Sequence, residues 1–202
     1  MATNVLVVYY SAFGHVHTMA NAVAEGAQQA SDVEVRVRRV AEFDAVRQAM
    51  YGMDAYNQAQ EDQKDDLRWA DGIAWGTPTR YGNMVAQMKQ FIDTTGSLWQ
   101  NAELEDKASG VFTSTGTIHG GQETTIITSM IPLLHLGMVF VGTPYGQNPQ
   151  IMTTEGEGGS PYGPSTLAGD GSRQPTENEL TGARNLGTRL AKVSAQLKAL
   201  RS

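Results

Sequence analysis

The sequence predicts an α/β fold in which a parallel sheet is covered by helices on both faces. Three observations carry this. Apolar, β-branched runs alternate with segments whose apolar residues recur at helical spacing. The first run, Val5-Leu6-Val7-Val8-Tyr9-Tyr10, is apolar without polar alternation, as in a strand buried on both sides. Three of the strand-like runs end in loops rich in Gly, Ser and Thr. In a doubly wound sheet such carboxyl ends gather at the switch point, where ligands bind.

The elements follow in order. The first strand stops at Ser11, and Ala12-Phe13-Gly14-His15 makes a short turn with one glycine. Val16, Met19, Ala20, Val23 and Ala27 then mark a helix from about His15 to Gln29. Unpaired amides at that helix start form a seat for an anion, to which Ser11 and Thr18 can add hydroxyl donors. Val33-Glu34-Val35-Arg36-Val37 alternates and reads as a half-exposed second strand. Phe43 to Asp66 is polar and irregular, with weak helical character around Phe43–Met50. It ends in the acidic run Glu61-Asp62-Gln63-Lys64-Asp65-Asp66, which reads as a solvated loop or helix start.

Gly72-Ile73-Ala74-Trp75-Gly76 is the third strand, and it runs into Thr77-Pro78-Thr79-Arg80-Tyr81-Gly82-Asn83. Met84, Val85, Met88, Phe91 and Ile92 mark the next helix. Ala108 to Thr113 is the fourth strand, ending in the loop Ser114 to Gln122. A helix from about Glu123 to Leu136 follows, which Pro132 is expected to bend. Met138-Val139-Phe140-Val141 is the last strand. Residues 143–175 are rich in Gly, Pro, Ser and Thr and too long for an ordinary connection, so they read as a functional excursion from the sheet edge. Leu180, Ala183, Leu186, Leu190, Val193 and Leu197 form the stripe of a final helix, capped by Thr176 or Asn178. The 202 residues suffice for one domain with a sizeable core.

Composition excludes several classes. The chain has no cysteine, so thiolate catalysis, disulfides and iron–sulfur clusters are out. No apolar run approaches the roughly 20 residues needed to span a bilayer. The amino terminus has no basic region ahead of the first strand, so no signal peptide is expected, and the cytoplasm is the expected location. Net charge is −6, and only Arg36, Arg38 and Arg39 cluster, so a nucleic-acid partner is not expected. No metal site and no nucleophile constellation are visible.

The first loop lacks the lysine and first glycine of a triphosphate loop and the three glycines of a dinucleotide fingerprint. Its phosphate must therefore be held by neutral donors, as in a monophosphate pocket. Tyr81, Trp99 and His119, in or near the other loops, suit a flat ring.

Ser11-x-Phe13-Gly14-His15, Gly76-Thr77-Pro78-Thr79-Arg80-Tyr81-Gly82-Asn83-Met84 and Ser114-Thr115-Gly116-Thr117…Gly120-Gly121-Gln122-Glu123 together resemble WrbA, the flavodoxin-like type of NAD(P)H:quinone oxidoreductase. The likeness continues through His135-x-Gly137-Met138, Gly159-x-Pro161-Tyr162-Gly163 and Gly169-Asp170-Gly171-Ser172-Arg173-Gln174-Pro175, and covers nearly the whole chain in order. It implies a flavodoxin-like five-stranded sheet of order 2-1-3-4-5, FMN, two-electron reduction of quinones by NADH or NADPH, and a homotetramer. Phe13 stands where the family often has tyrosine, and Ile118-His119 where some relatives are glycine-rich and shorter. Both departures bear on nicotinamide preference and quinone access.

Carried over residue by residue, the resemblance implies that Ser11, Ala12, Phe13, Gly14, His15 and Val16 hold the FMN phosphate and its turn. Thr79, Arg80, Tyr81, Gly82 and Asn83 would line one edge of the ring. Ser114, Thr115, Gly116, Thr117, Ile118, His119, Gly120 and Gly121 would wrap the other. His135 would reach the phosphate from a neighbouring subunit or segment, and Phe13 and Trp99 would wall the substrate. Plainer readings stand beside these: Ser11 as a helix cap, His15 as a surface residue, Arg80 as an ion-pair partner, and His135 and Trp99 as core. The expected mechanism is ping-pong hydride transfer, with the nicotinamide and then the quinone on one flavin face and no protein group as acid or base. Its rival is a one-electron carrier of the flavodoxin type.

Overall fold

Strand β1 (Thr3–Tyr9) is an inner strand of the sheet, and its residues are buried toward both sides. The computed structural model describes residues 2–43 and 63–201. Within them the other strands are β2 (Val33–Arg39), β3 (Gly72–Arg80), β4 (Asn83–Met84), β5 (Ala108–Thr115), β6 (Val139–Phe140) and β7 (Ser165–Leu167). The helices are α1 (His15–Gln28), α2 (Gln63–Trp69), α3 (Ala86–Asp93), α4 (Gly96–Gln100), α5 (Gln122–His135) and α6 (Glu177–Lys198).

The main path is β2-β1-β3-β5-β6, all parallel, with Val7 opposite Val37 on one side and Ala74 on the other. This is the expected 2-1-3-4-5 order of the flavodoxin-like fold. Alternation sorts the strand residues into two cores. Leu6, Val8, Ile73, Trp75 and Val111 pack with Met88, Phe91, Ile126 and Leu133. Val5, Val7, Tyr9, Ala74 and Phe112 pack with Val16, Met19, Val23, Leu186 and Leu190 of α1 and α6. Those two helices touch backbone to backbone. A Cβ on Gly26 would lie 1.9 Å from the Arg184 carbonyl oxygen, and one on Gly187 would lie 1.9 Å from that of Val23.

Three elements differ from expectation. β3 extends to Arg80 and folds back on β4 as a hairpin, so Met84 is strand rather than helix. The acidic run ends inside α2, and Asp66 is buried there rather than solvated, because Arg36 and Arg38 on β2 both pair with it. Arg36 also stacks on Trp69, 3.8 Å from the ring centroid. Residues 44–50, 61 and 62, where part of that reading falls, lie outside the described residues.

The edge strand is the third difference. Met138–Val141 is expected as the last strand, and β6 lies within it, but the structure adds β7 after it, so the edge comes in two halves. β6 pairs with the start of β5 at Ala108 and Ser109, and β7 pairs with its end at Thr113 to Thr115. Between the halves the chain leaves the sheet and returns through a narrow stem. There the Thr143 amide donates to the Pro161 carbonyl at 2.9 Å, and the Thr143 hydroxyl donates to that of Ser160 at 2.6 Å. The final helix starts as read, with Thr176 and Glu179 in a reciprocal capping box. α5 runs through Pro132 as one helix.

Candidate functional site

The first loop is built by its own backbone. Gly14 precedes α1 with φ 95°, a conformation that glycine adopts without steric cost, and no side chain caps the helix. The first-turn amides of α1 are therefore left facing outward. The Ser11 hydroxyl oxygen accepts the Gly14 amide at 3.0 Å. It closes the turn rather than capping the helix, and its own proton stays available. Thr18 turns its hydroxyl onto the Gly14 carbonyl at 3.2 Å, so that expected donor is used within the helix. His15 is buried, not a surface residue, and its Nε2 lies 2.8 Å from the Arg173 carbonyl oxygen. Arg39, at the end of β2, donates from Nη2 to the Ser11 carbonyl at 2.6 Å. Sequence reasoning missed this support, although the arginine cluster on β2 was its trace.

The second loop is a two-residue hairpin. Tyr81 at φ 53° and Gly82 at φ 77° both occupy left-handed backbone, which is the requirement of a type I′ turn. The Thr79 hydroxyl accepts the Gly82 amide at 3.2 Å and the Thr125 hydroxyl at 2.7 Å, which fastens the hairpin to α5. Tyr81 is fully exposed at the tip. Arg80 bonds only the Thr79 carbonyl, at 3.0 Å, and forms no ion pair among the described residues. The third loop is held by the Thr115 hydroxyl donating to the Thr117 carbonyl at 2.8 Å. Gly121, at φ 102°, begins α5 so close to the hairpin that a Cβ there would lie 3.0 Å from the Cα of Gly82.

These loops enclose a cleft of about 210 Å³. Ser11, Ala12, Phe13, His15 and Val16 line it from the first loop, Thr79 and Arg80 from the second, and Ser114, Thr115 and Gly116 from the third. Ala168 to Gly171 complete it, tied in by the Ala168 amide donating to the Thr115 carbonyl at 2.7 Å. Sequence reasoning left these four out, although two glycines with positive φ, Gly169 and Gly171, fall among them. Arg80 is the cationic donor on the cleft's wall, and the first and third loops offer it neutral donors. The Ser114 hydroxyl, in a residue 6% exposed, makes no hydrogen bond among the described residues. Behind the closing segment, Glu179 accepts from Arg173, Thr166 and the amides of Thr176 and Gly158. Burial pushes its carboxyl up, and these hydrogen bonds outweigh that and hold it below the ordinary range.

Other expected residues lie elsewhere. Tyr81, Asn83, Trp99 and His135 line a separate, wider groove of about 1290 Å³, whose walls include Met84, Ile92, Ile131 and Leu136. Arg80 borders both concavities. His135 is exposed and Trp99 is 61% exposed, so neither is core. Thr117, Ile118 and His119 face a third cavity. Among the described residues, no group of acidic, His or Cys side chains could hold a metal ion, and no helix is long and apolar enough to cross a membrane.

Residues 3–150 match the family model of the NADPH-dependent FMN reductases. A protein of Geobacter sulfurreducens named NAD(P)H dehydrogenase (quinone) is 50% identical over 200 residues, covering 96% of this chain and 98% of its own. One of Paracoccus denitrificans with the same name is 51% identical, covering 98% of this chain and 96% of its own. Among solved structures, a flavodoxin-type WrbA-like protein from Agrobacterium tumefaciens superimposes with a TM-score of 0.71 at 28% identity, covering 96% of this chain and 99% of that one. An archaeal flavodoxin superimposes at 0.63 with 21% identity and 97% and 99% coverage, which speaks for the fold.

Proposed function

The chain belongs to the NADPH-dependent FMN reductase family, in its WrbA-like branch, and from that premise we propose that it is an FMN-dependent NAD(P)H:quinone oxidoreductase working by a ping-pong mechanism. The observation that carries this reading is the cleft at the ends of β1, β3 and β5, whose anion seat on the first loop is made of neutral donors. The residues present fit FMN. A monophosphate dianion needs several donors and no lysine, and the first-turn amides of α1 with the Ser11 hydroxyl supply them. The Ser114 hydroxyl and the Arg80–Asn83 hairpin offer polar groups beside that seat.

FMN, when bound, supplies two-electron exchange between a nicotinamide and a quinone. The protein's part is to hold and orient. Gly14 and Ser11 would hold the phosphate end, and Thr79 and Arg80 of the hairpin with the Gly116 segment would border the ring end. Phe13, 72% exposed at the cleft mouth, offers a flat apolar wall that accepts either substrate in turn. In this reading the bond changes lie in the cofactor and substrates.

We read Trp99 and His135 as serving the cleft of a neighbouring copy in a homotetramer. Both lie on the groove, away from their own chain's cleft, among exposed apolar side chains including Ile131 and Leu134. In this reading the chain is one flavodoxin-like domain with residues 143–175 inserted in it, and it works in the cytoplasm. The test is the absorption spectrum of the FMN-reconstituted protein without oxygen. Flavin bands bleached by NADH or NADPH and restored by benzoquinone are expected, with parallel initial-rate lines. Absent flavin binding overturns the cofactor, and intersecting lines overturn the shared site. Light scattering at the size of four chains supports the tetramer, and a monomer at assay concentration removes it.

A further inference from the structure

Gly116 and Gly169, which border the cleft, also border a second cavity of about 490 Å³ that the reading above does not use. Its wall carries Thr117, Ile118, His119 and Arg173. Ile118 is 52% exposed and offers an apolar shelf. Arg173 spends Nη1 on the Leu167 carbonyl at 2.6 Å and on Glu179 at 3.0 Å. Its Nε and Nη2 donors, the Thr117 hydroxyl and the His119 ring make no hydrogen bond among the described residues. The wall is fixed to the first loop, because the Arg173 carbonyl holds His15 at 2.8 Å. An apolar shelf beside convergent N–H and O–H donors is the chemistry that holds a nucleotide, with the base on the shelf and phosphate oxygens on the donors. A guanidinium fork with free edges suits phosphate best.

We propose that this cavity takes the adenosine phosphate end of the nicotinamide nucleotide, with Arg173 and His119 on the phosphates and Ile118 under the base. The proposal deepens the functional reading and rests on it. The charge of Arg173 is already matched by Glu179, and Asp170 stands on the neighbouring segment. Binding therefore leans on directed donors more than on net charge, and affinity should fall only mildly as salt rises.

The direct test is calorimetric titration of the FMN-loaded protein with 2′,5′-ADP, which carries both phosphates and no nicotinamide. The wild type is expected to bind it, and Arg173→Lys, which keeps a cation for Glu179 but loses the fork, is expected to bind about 10-fold more weakly, the scale of one hydrogen bond to a charged group. His119→Gln is the second variant, should Arg173→Lys fold poorly. A paired assay compares NADPH with reduced nicotinamide mononucleotide, which lacks the adenosine end. The ratio of their kcat/KM values should fall about 10-fold in either variant. No binding of 2′,5′-ADP by the wild type overturns the subsite, as does an equal loss toward both donors. If the loaded protein oxidises neither donor, the functional reading itself fails.

Discussion

The cleft and the groove share Arg80 and a rim, yet they are made of different material. The cleft is backbone work. Its dimensions follow from a glycine at φ 95°, amides left over at a helix start, and hydrogen bonds such as Ala168 to Thr115 that stitch loop to loop. The groove, about six times larger at 1290 Å³ against 210 Å³, is side-chain work, walled by Met84, Ile92, Ile131 and Leu136. A backbone site fixes where a charged group sits and tolerates little change. A side-chain groove sets which flat apolar surface covers it and tolerates a good deal.

That contrast can be broken most severely from beneath the cleft. Gly187→Val would push a side chain into the Val23 carbonyl and part α6 from α1, whose first turn is the anion seat. A loss of about 3 kcal/mol or more is expected from overpacking, read as a lowered urea midpoint, with FMN binding lost alongside. Ile131→Ser in the groove should cost under about 1 kcal/mol, being half exposed. Next, Ser11→Ala should weaken FMN about 10- to 100-fold, the range for a hydrogen bond to a charged group, in a fluorescence-quench titration of the apoprotein. Trp99→Ala should leave that affinity within about threefold while changing quinone kcat/KM. Equal effects of the two substitutions on FMN would erase the distinction.

Glu179 gives a smaller, pH-dependent effect. Its folded pKa is depressed, so its contribution is present above the ordinary glutamate value of about 4.3 and is lost as pH falls through the folded value. Glu179→Gln should thus lower Tm at pH 7, with the gap to wild type closing below about pH 4. A gap that stays constant down to acid would show that the carboxylate's charge is not what ties the closing segment. The smallest effect is expected at the hairpin tip. Tyr81→Gly relieves a left-handed non-glycine residue, worth about 1–2 kcal/mol, against a glycine entropy cost of about 0.5–1. Tm should hold or rise slightly while quinone KM increases.

Much of the cleft was legible because its causes are local. An apolar run, a hydroxyl, a lone glycine and a helix start are neighbours in sequence, and their geometry follows from adjacency. What escaped depends on distant partners. Asp66 reads as one more solvated acid until Arg36 and Arg38 are placed across from it, although their spacing of two already puts them on one strand face. The hairpin at Tyr81–Gly82 lacks the Asn-Gly signal, so its turn type shows only in the dihedrals. β7 is three residues within a Gly- and Ser-rich stretch, and only pairing with Thr113 to Thr115 makes it a strand. By likeness Trp99 is expected over the flavin and His135 from a neighbouring subunit or segment, and within one chain both lie on the groove.

The stem that interrupts the edge strand has an engineering consequence. Because Thr143 and Pro161 clasp before the chain reaches the sheet, the register of β6 and β7 does not depend on how much chain loops out beyond them. Doubling such a loop costs only about 0.6 kcal/mol of closure entropy. The solvent-facing tip at Thr153, Thr154 and Glu155 is therefore a graft port, where a reporter domain or an affinity tag can be spliced while the anion seat keeps its shape.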